Sequence, residues 1–256
     1  MILNKFGKNQ SLWRQVRRSV LGALMLPSPL FFDRTDAGEQ LAQAIHAIVT
    51  ETAAASEVSP KLIVYALPRG GLPVAAPVAR LLSCPLDIVV AKKISHPQNP
   101  ELAIGAVTAD GNVLWTEQSP FHIQHEPQGE VAREEALNKA HSQLAQLAQD
   151  RPQVNPQGAI AIVVDDGIAT GMTMAVAAQA LRAQHPAAVW LCAPVAPLAL
   201  LLWLRQWGDR IIVLETPQPF LSVSRFYAEF PQVETEEALA YLQQQNFAER
   251  AWEKSS

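Results

Sequence analysis

Residues 160–173, reading IAIVVDDGIATGMT, constrain this chain more than any other stretch. Five apolar residues, mostly β-branched, end on two adjacent carboxylates, Asp165 and Asp166. A run without polar alternation suits a strand buried on both faces, the kind a parallel sheet contains. Thr170-Gly171-Met172-Thr173 and an Ala-rich segment of helical spacing follow. The spacing therefore predicts a strand that delivers two acids, then a turn at a helix N-terminus. There, backbone N–H groups and hydroxyls form a natural phosphate cradle.

The rest of the chain repeats that alternation. Apolar strands are predicted near residues 62–66, 86–91, 188–193 and 210–214, between helical segments at 73–82, 131–149 and 197–206. Asp36 and Glu39 suit a capping box opening a first helix. The fold class that results is α/β, a doubly wound, mostly parallel sheet flanked by helices, with a small inserted hairpin/helix appendage. Residues 1–30 read as an N-terminal arm, 31–233 as the main domain with an insertion at about 109–158, and 234–256 as a C-terminal helix and tail. Within this scheme Lys92 and Lys93 end the second strand, and the turn-rich residues 95–100 form no regular structure.

Composition removes several function classes. A net charge of -4 and a sequence pI near 5.9 argue against sequence-independent nucleic-acid binding. Cys84 and Cys192 stand far apart among apolar residues, and the six histidines make no metal-ligand spacing, so no zinc site is expected. Arg14, Arg17 and Arg18 before the apolar residues 20–26 mimic a signal peptide. The run ends at Pro27 without a small-residue cleavage site, so an ordinary arm and a cytoplasmic protein are expected. The apolar residues 198–204 are too few to cross a bilayer.

Ligands of open α/β sheets bind beyond the carboxyl ends of the strands. Three loops there carry functional groups. Asp165 and Asp166 can accept hydrogen bonds from vicinal ribose hydroxyls. Arg69, Gly70 and Gly71 let backbone approach an anion closely, since glycine has no Cβ in the way. Lys92 and Lys93 add point charges for a diphosphate. A sugar phosphorylated at both ends, 5-phosphoribosyl-1-diphosphate, satisfies all three.

On these residues the chain resembles the type I phosphoribosyltransferase family, whose signature is matched by residues 160–173. Phe31-Phe32-Asp33-Arg34-Thr35-Asp36-Ala37-Gly38, Leu67-Pro68-Arg69-Gly70-Gly71 and residues 99–107 (NPELAIGAV) resemble a branch of predicted bacterial members. The resemblance implies that Asp165 and Asp166 hold the ribose 2′- and 3′-hydroxyls, with Mg²⁺ reached indirectly through those hydroxyls or water. It implies that Gly167, Ile168, Ala169, Thr170, Gly171, Met172 and Thr173 bind the 5′-phosphate end. Arg69, Gly70, Gly71, Lys92 and Lys93 would bind the diphosphate, with Lys93 catalytic beside the two acids. Residues 95–101 stand where the family often has a mobile lid. Ala169 stands where purine-salvage members commonly carry an Asp that contacts the base, which weakens a hypoxanthine or guanine assignment and leaves the base open.

The implied reaction is a Mg²⁺-dependent displacement of diphosphate at ribose C1 by a nitrogenous acceptor. The partners are these small molecules, with no nucleic acid, no membrane, and a homodimer as the assembly. An alternative is a catalytically weak regulatory protein that binds phosphoribosyl diphosphate or nucleotides. A phosphohydrolase with Asp165 as nucleophile fits less well, because the Asp-x-Asp spacing is missing. Asp33, Arg34 and Asp36 read as ion pairs that order the chain start, and Phe220, Phe226, Tyr227 and Phe230 as core or a cover for the sheet edge.

Overall fold

The computed structural model describes residues 29–54, 59–116, 126–152 and 154–253, so the expectations for the arm at residues 1–28 lie outside it. In chain order the elements are α1 (Arg34–Ala54), β1 (Leu62–Ala66), α2 (Gly71–Leu82), β2 (Leu86–Ile88), β3 (Ala91–His96), β4 (Asn99–Thr108) and β5 (Val113–Trp115). There follow α3 (Pro127–Leu147), β6 (Ile160–Val164), α4 (Met172–Arg182), β7 (Ala188–Val195), α5 (Leu200–Leu204), β8 (Arg210–Glu215) and α6 (Thr235–Glu253). A parallel sheet of order β2-β1-β6-β7-β8 forms the body, and an antiparallel sheet β3-β4-β5 stands apart from it.

The central strand β6 explains the unbroken apolar run. Ile160, Ile162 and Val164 join a cluster with Leu41, Ile45 and Leu72, while Ala161 and Val163 join the opposite cluster with Met174, Leu181 and Leu204. Alternate side chains point to opposite faces, and helices cover both, so neither parity can be polar. Register then aligns the strand ends. Ala66 pairs with Val164, and Val164 with Cys192, so the turns after β1 and β6 leave the sheet side by side while β7 runs on to Val195.

Three expectations shift. The second strand does not run through residue 91, because β2 stops at Ile88, opposite Ala66, the last residue of β1. Beyond that point β1 turns at Pro68 and leaves no edge to pair with, so the chain crosses into the other sheet. Lys92 and Lys93 therefore lie inside β3, not at the end of a body strand. Residues 95–100, expected to be irregular, are mostly the tip of the β3–β4 hairpin, where the register shifts around Ser95. Such a shift tolerates Pro100 in a strand.

The first helix also starts earlier than Asp36. The Asp33 carboxylate accepts from the Asp36 N–H at 2.7 Å, and Asp36 accepts from the Phe32 N–H at 2.9 Å. The cap is thus Asp33, with Asp36 reaching back. The antiparallel sheet packs Ile94, Ile104 and Val107 against Ala136 of α3. It takes in residues 91–115, upstream of and overlapping the stretch 109–158. Among the described residues no helix is long and apolar enough to cross a membrane. Cys84 and Cys192 are buried free thiols.

Candidate active site

Asp165 and Asp166 follow β6 directly, at the carboxyl end of the sheet. The Asp165 N–H donates to the Cys192 carbonyl at 3.3 Å, and the Asp166 N–H donates to Asp165 Oδ1 at 2.8 Å. The first carboxylate is thereby folded back on the backbone of the second. Burial and the neighbouring Asp166 hold the Asp165 carboxyl well above the usual carboxylate range; the Asp166 N–H, Arg34 and Lys93 oppose the shift. Burial raises Asp166 too, against Arg34. As a unit, the pair binds a proton more tightly than free carboxylates do.

The turn after β1 closes on this pair. A Cβ added at Gly70 would lie 2.2 Å from Asp166 Oδ2, and one at Gly71 would lie 2.7 Å from the Val164 carbonyl oxygen. Only glycine permits that approach. The Pro68–Arg69 peptide bond is cis. The Arg69 guanidinium donates to the Thr235 hydroxyl at 2.8 Å, so the diphosphate-loop candidate also touches the start of α6.

Gly171 caps α4 with a left-handed φ of 77°, which turns the chain into the helix. Ala169 and Thr170 are exposed and Thr173 is half-buried, whereas the side chains of Ile168 and Met172 are buried. Those two anchor the loop, leaving only their backbone available to a ligand. Gly167 is also buried, against Val223 and Val195.

Lys92 and Lys93 are neighbours on β3, where successive side chains point to opposite faces. Exposed Lys93 lies within electrostatic reach of Asp165. Half-buried Lys92 faces Arg69 and Lys139; burial first, then those cations, pulls its amine below the ordinary range. The turn after β1 thus meets the acid pair, while Lys93 lies near Asp165 and Lys92 near Arg69, both lysines coming from the second sheet.

Sequence reasoning missed Arg34. Its Nε donates to Asp166 Oδ2 at 2.8 Å, its Nη1 donates to the Pro231 carbonyl at 2.6 Å, and its guanidinium carbon lies 3.5 Å from the Phe230 ring centroid. Tyr227 completes the contact by donating its hydroxyl to the Asp166 carbonyl at 2.5 Å. Burial and Asp166 push that phenol upward. The aromatic segment read as core or cover does both, packing on Phe31 and Val195 while touching the acids. The available signal was an arginine between two aspartates before a helix, which could not specify a partner 132 residues away.

No group of three His, Cys, Asp or Glu side chains able to hold a metal occurs among the described residues. Two adjacent carboxylates alone still suit Mg²⁺, which keeps several waters and takes further oxygens from bound phosphates.

The phosphoribosyl transferase domain profile matches residues 34–202. Two curated Mycobacterium tuberculosis proteins, from separate strains and each described as a candidate phosphoribosyl transferase, are 35% identical over 225 residues, 86% of this chain and 48% of theirs. The chain therefore spans about half the length of those curated relatives. The crystal structure of TT1426 from Thermus thermophilus is similar at a TM-score of 0.68 and 30% identity, covering 84% of this chain and 98% of that one.

Proposed function

Since the chain belongs to the type I phosphoribosyltransferase family, we propose that it transfers the phosphoribosyl group of 5-phosphoribosyl-1-diphosphate to a small nitrogenous acceptor, with Mg²⁺. The observation that carries this reading is the partly buried acid pair, with the single turn of Arg69, Gly70 and Gly71 folded against it and Lys93 in electrostatic reach.

Asp165 and Asp166 would accept from the ribose 2′- and 3′-hydroxyls, and residues 167–173 would hold the 5′-phosphate at the N-terminus of α4. The backbone of Arg69, Gly70 and Gly71 would approach the diphosphate, with Lys92 and Lys93 countering its charge as the C1–O bond breaks. The acceptor nitrogen then takes C1 while the electron pair of the broken bond leaves on the diphosphate. Bound Mg²⁺ would supply charge neutralisation on that leaving group. The protein contributes positioning and a fixed field at the developing charge. Ala169, exposed at the loop, offers no carboxylate to a base.

A second reading has one observation in its favour. Residues 95–101, the lid candidate, belong to the β3–β4 hairpin and its tip, where a lid would call for a mobile loop. That suits a regulatory binder of the same ligand, which needs no closure. Thermal melting with phosphoribosyl diphosphate, with and without Mg²⁺, tests both, because a ligand of the native state must raise stability. Absence of any shift at saturating ligand removes both readings. A shift without diphosphate release across a panel of nitrogenous acceptors leaves the binder.

A further inference from the structure

We propose that Arg34 is the positioning residue of this site, holding Asp166 Oδ2 so that the other oxygen is presented to the ribose hydroxyls. The inference rests on the phosphoribosyltransferase reading and adds to it a residue that acts through another.

The guanidinium is fixed on three sides: by the Asp166 carboxylate, by the Pro231 carbonyl and by the face of Phe230. Its side chain is 10% exposed, and that of Asp166 is 15% exposed. Ordering therefore happens on folding, before any ligand arrives, which is the general advantage of preorganisation. With Nε and Nη1 engaged on protein oxygens, Arg34 is built to hold a carboxylate in place. Arginine suits this role because its planar fork can make two directed hydrogen bonds and stack at once.

Asp166 is confined from its own side as well. Its N–H is donated to Asp165 and its carbonyl accepts from Tyr227. Gly70 stands so close to Oδ2 that the carboxylate cannot rotate toward that turn without meeting backbone. One oxygen is thus held between Arg34 and Gly70. Among the described residues Arg34 is the cation in ion-pair contact with Asp166, so its charge partly offsets that of the two neighbouring acids.

The segment that holds Arg34 also reaches the other half of the site. Tyr227 and Pro231 serve the acid pair, and Thr235 accepts from Arg69. A single stretch of eight residues after Tyr227 thereby sets the spacing between the ribose acids and the diphosphate turn.

A double-mutant cycle tests this. The affinity of the Mg²⁺ complex of phosphoribosyl diphosphate is measured by calorimetry for the wild type, Arg34→Gln, Asp166→Asn and the combined variant. Unfolding of each ligand-free protein is followed in parallel. Arg34→Gln is expected to weaken binding by about 10- to 100-fold, the usual cost of losing a partner that orients a ligating group. In the Asp166→Asn background the same change is expected to weaken it less than about threefold, because the effect passes through Asp166. Arg34→Lys is expected to restore only part of the affinity, since one ammonium cannot replace the fork and the stack. It also keeps the test readable if Arg34→Gln folds poorly.

Equal losses in both backgrounds would overturn the proposal, as would lower stability with unchanged affinity. A wild type that fails to bind the ligand at all would instead defeat the phosphoribosyltransferase reading, and this inference with it.

Discussion

Asp87 and Asp165 are both carboxylates near the carboxyl ends of body strands, the first buried and the second partly buried, and the fold treats them differently. Asp87, whose side chain is 4% exposed, accepts two hydrogen bonds from Arg151, at 2.7 and 3.0 Å, and one from the Ile88 N–H at 2.8 Å. Its needs are met within the protein. Asp165 accepts from the Asp166 N–H, lies beside a second carboxylate, and has no cation in ion-pair contact among the described residues. A fully partnered buried acid stabilises a fold; an under-partnered one is held ready for something else. The difference supports the proposed role of the second, and makes the first a staple between the edge strand and the segment after α3.

The sharpest break of this contrast is Asp165→Asn combined with Asp166→Asn. Wild type at 100 times the Kd should gain about 2.7 kcal/mol from phosphoribosyl diphosphate, and the variant should gain nothing. An unchanged melting shift would take these acids out of the site. Removing the staple should do the reverse. Arg151→Ala is expected to lower stability by about 2–3 kcal/mol, the lower end for an uncoupled buried pair because Arg151 is partly exposed. Ligand affinity should stay within about twofold; a larger loss by calorimetry would join Asp87 to the functional site.

Gly70→Ala comes next. A Cβ there must displace the Asp166 carboxylate, and about a tenfold loss of affinity is expected, read by titration calorimetry. Normal affinity would mean the turn relaxes without disturbing the acids.

The smallest effect concerns pH. The Asp165 carboxyl is raised in the folded state, so the native protein holds that proton more tightly than the unfolded chain. Its stabilising contribution is complete below the unfolded carboxylate range and is lost as pH rises through the raised native value. Asp165→Asn should therefore raise the ligand-free Tm at pH 7 by about 2–4 °C. It should also flatten the acid side of the stability profile, as thermal melts across pH would show. Asp87→Asn should lower the Tm instead, because an amide cannot satisfy Arg151 as a carboxylate does.

How much of this was legible depended on range. The β6 run and the turn after it were readable because a strand buried on both faces must be apolar at every position, and because Gly171 meets a local backbone demand. The turn at Arg69 and Gly70 was readable as a turn, though not its approach to Asp166. Residues 86–91 misled, because an apolar run looks the same whether or not a partner strand continues beside it. The early helix start at Arg34 was obscured because either of two aspartates three residues apart could cap it, and the Asp36 N–H chose Asp33.

By itself, then, the sequence determined the alternating α/β layers, the central acid-bearing strand and the phosphate-sized loop, since each follows from local periodicity and backbone preference. Only the tertiary structure decided which cations serve the acids. Lys93 comes from a separate sheet because β2 runs out of partner at Ile88, and Arg34 comes from α1, held by a C-terminal segment. Hydrogen bonds between residues more than a hundred positions apart leave no periodic trace in the chain. They arise where folding happens to bring a donor and an acceptor to the same place.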